Sequence, residues 1–445
     1  MSKTTDMTVG SPTRLLLTFS IPLILTNLGQ QLYQIVDGAV VGRGIGVRAL
    51  AAVGATDWSY WLILWAVSAL TQGFATFISR DFGKKDLEAL NHTIAMSTIL
   101  CVVLGSLFTL AGVAAARPVM LYLQTPEDIL PWSVTYLRTM AAGTLIVTGY
   151  NMTAAILRAL GDGRTPLIAM VIAGVMNILL DLLFVLVFHW GVLGAALATL
   201  LAQLFSFLYC LRQIGTFDCV HLHREHWKPD FPRMGRLLAF SFPLAMQNMV
   251  VALGGIILQS AINLQGSLFI AGYTATNKLY GLLECSSISL CHAGTTFAAQ
   301  NQGAGLPHRV RAGLRTCIKI SIVLSAVVSV VMIVFGRRLL QLFLDTEEAG
   351  GGQALDIAYH YLFIIAVVLF ILYLLHCYRS VLQGTGNSIG PMLSGFAEFA
   401  TRVVMSKVGI HYMGSIALFY AEPLAWIAAV TVLMGTYYLY QVKRL

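Results

Sequence analysis

Near residue 240 the chain begins to repeat itself. Phe19-Ser20-Ile21-Pro22-Leu23 returns as Phe240-Ser241-Phe242-Pro243-Leu244, with an asparagine at the same distance beyond each, Asn27 and Asn248. Ala52-Val53-Gly54-Ala55-Thr56 has a looser echo in Gly272-Tyr273-Thr274-Ala275-Thr276. Gly161-Asp162-Gly163-Arg164-Thr165-Pro166 is echoed by Gly386-Asn387-Ser388-Ile389-Gly390-Pro391. The three echoes keep their order at an offset of about 220 to 225 residues, which chance apolar matching would not do. Both copies are strings of apolar segments long enough to cross a bilayer. Duplicated halves around a central site are a common plan of secondary transporters.

Composition removes the soluble alternatives. The 445 residues are 57% hydrophobic and 11% charged, with a mean hydropathy of +0.77. Soluble domains carry about a quarter charged residues because their surfaces face water. Met1–Gly10 is polar and leads straight into the repeated body, so no cleaved leader is expected. The seven cysteines are scattered, mostly inside apolar segments, and read as small buried hydrophobes. The net charge of +8 has no soluble basic domain to carry it, so no nucleic-acid partner is expected; positive loops on the cytoplasmic side account for it.

A helix needs about 20 apolar residues to cross the hydrocarbon. That criterion predicts twelve spans, near 15–37, 53–79, 93–116, 133–158, 166–188 and 192–213, then 237–262, 272–299, 314–336, 357–383, 390–409 and 413–440. The expected fold is an all-α integral membrane protein with two six-helix lobes related by a pseudo-twofold axis. The lobes are residues 1–214 and 237–445, joined by a polar, solvated linker over 215–236. With the N-terminus inside, nineteen Lys and Arg fall on one side, Arg158, Arg164 and Arg379 among them, against six on the other (Arg43, Arg48, Arg117, Arg337, Arg338, Lys407). The positive-inside rule then puts both termini and the linker in the cytoplasm. The linker histidines His221, His223 and His226 read as solvated rather than metal-binding.

Ionisable residues within spans are costly and are functional candidates by default. Asp37 lies towards the end of the first span and Asp181 deep in the fifth. Asn177 and Asp181 are four apart and share one helix face. An amide oxygen above a carboxylate suits Na⁺, a hard cation, and suits a proton equally well; the residues do not choose. Glu398 and Arg402, also four apart, read as a self-neutralising buried ion pair, with a substrate contact as the alternative. Lys278 is expected to snorkel to the interface, Glu284 either pairs with it or faces a cleft, and Glu422-Pro423 suggests a kink.

The chain resembles the multidrug and toxic compound extrusion (MATE) family along nearly its whole length. The resemblance rests on Ile21-Pro22, on Val36-Asp37-Gly38 through Val41-Gly42-Arg43, and on Ala51-Ala52-Val53-Gly54. It continues in Leu157-Arg158-Ala159-Leu160-Gly161-Asp162-Gly163, in Asn177 to Asp181, and in Gly191 to Thr199. It implies a twelve-helix antiporter of the plasma membrane, monomeric and without a cofactor, exporting small organic cations or amphipathic drugs in exchange for Na⁺ or H⁺. In the DinF-like branch the N-lobe cation site matches Asp37, Asn177, Asp181 and Thr199 here. The NorM-like branch adds acids in the seventh and tenth spans, which this chain lacks, so Glu284, Glu398 and Arg402 stand as candidates for substrate contact or gating without a family role. A lipid-linked sugar or lipid flippase of the same superfamily would share the architecture, but would need more cleft-facing cations than Arg402 and Lys278 supply. No HExxH or DxxxD motif supports an enzyme.

Overall fold

A computed structural model describes residues 5–344 and 350–441, except for the side chains at positions 32–35, 39, 43, 47, 58, 440 and 441. Lys3, Lys443, Arg444 and the side chain of Arg43, all counted in the charge asymmetry, lie outside what is described. In lipid only helices satisfy the backbone without a closed barrel, and the described residues form helices joined by short turns.

In the first half these are α1 (Pro12–Gly44), α2 (Val47–Gly54), α3 (Asp57–Lys84), α4 (Leu87–Tyr122), α5 (Leu130–Ala142), α6 (Thr144–Ala159), α7 (Arg164–Asp181) and α8 (Gly191–Ile214). The second half holds α9 (Phe231–Asn263), α10 (Ser267–Gly303), α11 (Pro307–Leu340), α12 (Gly351–Gly384), α13 (Ile389–Val404), α14 (Ile410–Met413) and α15 (Ala417–Thr436). All twelve expected spans fall on helices. The fourth is a bent pair, α5 and α6, turning by 46° at Gly143. The unforeseen element is α2, a single short helix between the first two spans.

By length and apolarity nine of the described helices pass as membrane spans, or ten with the bent pair. The difference from twelve has two physical sources. Helix α10 is long enough but rich in Ser, Thr, Gly and Asn. The continuous helical stretch Ile389–Leu439, 51 residues, would be about 76 Å long as one rod, over twice the hydrocarbon thickness. It breaks at Gly414, whose φ of 64° interrupts the helix and turns one stretch into two spans.

The duplication is visible in the backbone. Gly161 (φ 82°) and Gly386 (φ 86°) adopt the left-handed conformation at matching positions. After each, a side-chain oxygen caps the next helix. Asp162 Oδ1 accepts from the Thr165 N–H at 3.0 Å, and Asn387 Oδ1 accepts from the Gly390 N–H at 3.0 Å. Helix α7 ends in one turn of π-helix, Leu182–Val187, and α13 in another, Met405–Gly409.

By packing the chain divides into two compact units, Met1–Met7 with Ile21–Ala245, and Thr8–Ser20 with Met246–Leu445. The boundaries fall inside α1 and α9. In the first unit α3, α4, α6 and α8 pack around a core that includes Phe74, Ile94, Met96 and Leu157. In the second, α12 is the central helix, packing on α10, α11 and α15.

The linker is mostly exposed, His221 and His223 included, as expected of a solvated segment, but it is anchored at three positions. Phe217, Val220 and His226 are buried in the first unit. Asn91 of α4 clasps the linker backbone, accepting from the His221 N–H at 2.8 Å and donating to the Cys219 carbonyl at 3.2 Å. His226 Nδ1 accepts from the His223 N–H, and its Nε2 lies 3.1 Å from Glu88 Oε1. The linker is thus a solvated loop pinned to α4, not a free one.

Candidate functional site

The first-unit site is assembled by two close helix approaches. Helix α8 buries small residues four apart, Gly194, Ala198, Ala202 and Ser206, and packs on α7. Small residues let helix backbones approach closely in lipid, where no hydrophobic force draws helices together. Helix α1 meets α7 at two glycines. A Cβ at Gly29 would stand 2.5 Å from Met170 Cε, and one at Gly44 would stand 2.7 Å from Leu186 Cδ2. The two contacts are 15 residues apart on α1 and 16 on α7, so these helices run parallel in register. Eight residues beyond Gly29, that register places Asp37 level with Asn177 to Asp181.

The side chains confirm the level. The Asp37 and Asp181 carboxyls face each other within interaction range. Asp181 is fully buried and Asn177 is 1% exposed. Asn177 Nδ2 reaches Thr199 Oγ1 at 3.4 Å, bringing α8 into the same cluster. The structure therefore unites all four predicted residues, Asp37, Asn177, Asp181 and Thr199.

Among the described residues the oxygens of this cluster lack outside donors. Asp37 Oδ1, Asn177 Oδ1 and both carboxyl oxygens of Asp181 are enclosed and have no hydrogen-bond partner there beyond the two facing carboxyls. Ionised carboxylates only accept, so two of them cannot satisfy each other. Buried charges in hydrocarbon are kept where they are paired, protonated or bound to a cation. A proton or a hard cation on these oxygens is what the donor set fits.

A cavity of about 410 Å³, including its open mouth, begins at Asn177 and Thr199. Gln30, Tyr150, Gln203 and Ser206 supply its other polar walls.

In the second unit the ion pair differs from the expected one. Glu398 Oε1 is held by Arg379 Nη2 at 2.7 Å, whereas Arg402 Nη2 stands 3.5 Å from Glu398 Oε2. Arg402 instead binds Glu422 Oε2 at 2.8 Å and donates to the Val251 carbonyl at 3.0 Å. The self-neutralising pair is a four-residue network of two arginines and two glutamates. Arg379, counted among the loop residues from sequence, has a side chain only 12% exposed. Its place on the polar side of a long apolar helix gave no sign that it turns inward. Glu422 marks a salt bridge, and Pro423 sits within α15 without ending it.

Glu284 is half-buried on α10, with His376 Nε2 4.0 Å away. Lys278 is exposed, as expected of a snorkelling residue. All seven cysteines are free, and six are buried.

Comparison with known proteins gives one consistent answer. The family model MatE matches twice, over residues 22–183 and 243–408, once in each half. The probable multidrug resistance protein YpnP of Bacillus subtilis is 31% identical over 365 residues, covering 81% of this chain and 82% of that protein. The probable multidrug resistance protein NorM of Thermotoga maritima is 23% identical, over 89% of this chain and 85% of its own length. Among solved structures, a MATE transporter in complex with MaL6 superposes with a TM-score of 0.92 at 22% identity, covering both chains fully. An outward-facing multidrug resistance MATE transporter of the MOP superfamily gives 0.91 at 23%, again over both chains. These structural matches establish the fold, twelve helices in two lobes. On the doubled family match and the YpnP relationship, the chain belongs to the MATE family of multidrug efflux transporters.

Proposed function

We propose that the protein is a cation-coupled antiporter that exports small organic cations or amphipathic compounds across the plasma membrane by alternating access. In this reading it works as a monomer with both termini and the 215–236 linker in the cytoplasm. Asp37, Asn177 and Asp181 hold the coupling ion, H⁺ or Na⁺, and Thr199 orients the Asn177 amide. The observation that carries the reading is the set of enclosed acceptor oxygens on Asp37, Asn177 and Asp181 that lack a donor. The relatives YpnP and NorM are named for multidrug resistance, which supports a drug-like cargo.

The second unit supports an asymmetric use of the two halves. Its arginines and glutamates neutralise one another, so the cation belongs in the first unit, as in the DinF-like pattern. Occupation of the first-unit site changes the repulsion between Asp37 and Asp181. A ligand shifts a conformational equilibrium only by binding its states unequally. Relief of that repulsion is the differential interaction here, acting on α1 and the π-turn that follows Asp181.

The test is efflux of an organic cation from proteoliposomes with Na⁺ and pH gradients imposed separately. Acceleration by one gradient identifies the ion. Equal rates with both gradients absent and present would rule out coupling.

A further inference from the structure

The cation site has a polar continuation that none of the four residues accounts for. Gln203 lies four residues beyond Thr199 on α8, and Ser206 three further, so the three share one helix face. The cavity follows this face from Asn177 and Thr199 down to Met170 and Ser206. Seven residues of helix separate its two ends, about 10 Å. At its floor the Ser206 hydroxyl donates to the Ala169 carbonyl at 3.3 Å, fastening α8 to α7. Between floor and cation site stands Gln203, whose Oε1 is enclosed and accepts from no donor among the described residues.

An amide oxygen without a donor in a membrane interior carries a desolvation cost. The orphan oxygens of Asp181 and Asn177 are explained by the site they form. The Gln203 oxygen is outside that site, yet lies on the α8 wall of the cavity that leads from it. A cation leaving Asn177 towards the Arg164 end of α7 would meet Gln203 Oε1 next.

We infer that the cavity is the inner route of the coupling cation, and that Gln203 is a transfer ligand which accepts it from Asn177 and passes it towards the cytoplasmic end of α7. The inference rests on the cation-site reading above. Gln203 does not set affinity, because it is not among the oxygens facing Asp181. It sets the rate of release. An apolar side chain there would leave the α8 face without an oxygen from Thr199 to Ser206, about 10 Å.

The experiment uses the full chain in proteoliposomes, ethidium as cargo, and Na⁺ and protons offered separately as driving ions. Gln203→Leu keeps the volume and removes the oxygen. Its maximal efflux rate is expected to fall at least tenfold, with the half-saturating concentration of the driving ion moved less than threefold. Gln203→Glu, which restores an oxygen, is expected to recover at least half of the lost rate. Ala173→Leu narrows the cavity from α7 and leaves the Gln203 side chain in place, and is expected to slow efflux likewise; it serves if Gln203→Leu fails to fold. A wild-type maximal rate in both Gln203→Leu and Ala173→Leu would overturn the inference. So would a parallel change in half-saturation, which would make Gln203 part of the binding site. Asp181→Asn separates the two readings. If it abolishes coupling while the cavity variants transport normally, only the inner route falls. If it stays coupled, the cation site falls too.

Discussion

Arg379 on α12 holds Glu398 at 2.7 Å, more closely than Arg402 does from one turn along Glu398's own helix, at 3.5 Å. The stronger contacts thus run between helices, Arg379 to Glu398 and Arg402 to Glu422, and tie α12 to α13 and α13 to α15. Neutralising one member strands its partner. Glu398→Gln is expected to destabilise by about 3–5 kcal/mol, the usual cost of breaking a buried pair. The double variant Glu398→Gln/Arg379→Gln is expected to be milder than Glu398→Gln alone. Glu398→Gln/Arg402→Gln is not, because it strands both Arg379 and Glu422. Thermal unfolding in detergent with fluorescence detection ranks the three, and the reverse order would show that the helix-internal contact dominates.

The parallel register of α1 on α7 depends on Gly29. Gly29→Ala places a Cβ against Met170 Cε and is expected to cost about 1–3 kcal/mol, with export lost in proportion as Asp37 shifts from Asp181. Met170→Ala in the same chain clears the space. Efflux in the double variant is expected to exceed that in Gly29→Ala. Equal efflux in the two would mean that this contact does not position Asp37.

Asn91 is expected to hold the linker closed. It bonds the linker backbone on both sides of Val220. Asn91→Ala removes both bonds, so limited proteolysis of inside-out vesicles should cut within 215–230 several times faster than in the wild type. Right-side-out vesicles should be protected in both cases. Cleavage from the outside would reverse the topology that the positive loops imply.

How much of this was written in the sequence depends on the range of the interaction. Asn177 and Asp181 are linked by helix periodicity, and their partnership could be read directly. Their meeting with Asp37 and Thr199 was implied only by family resemblance; in the structure it follows from Gly29, Gly44 and the small stripe on α8, which are packing features without a chemical signature. Glu398 and Arg402 were legible as neighbours for the same periodic reason, and misleading for it. The preferred partners, Arg379 and Glu422, come from other helices, and no local spacing marks them. The exposure of the linker was legible in its polar composition, but its anchoring was not, because Asn91 and Glu88 on α4 hold it from 128 and 138 residues away. The twelve spans were legible because hydropathy is a local property. Their lengths were not, because polar end turns such as those of α4 continue the helix beyond the lipid.

The central claim is that the buried carboxylate of Asp181 carries the coupling ion. Asp181→Asn keeps the shape and polarity of the side chain and removes its charge, so the variant should fold and retain binding of ethidium. The direct measurement is ethidium efflux from proteoliposomes containing Asp181→Asn, under the Na⁺ or pH gradient that drives the wild type. The account predicts cargo binding without gradient-driven efflux, the rate remaining at its no-gradient value. Gradient acceleration equal to that of the wild type would contradict it and move the coupling site away from Asp37, Asn177 and Asp181.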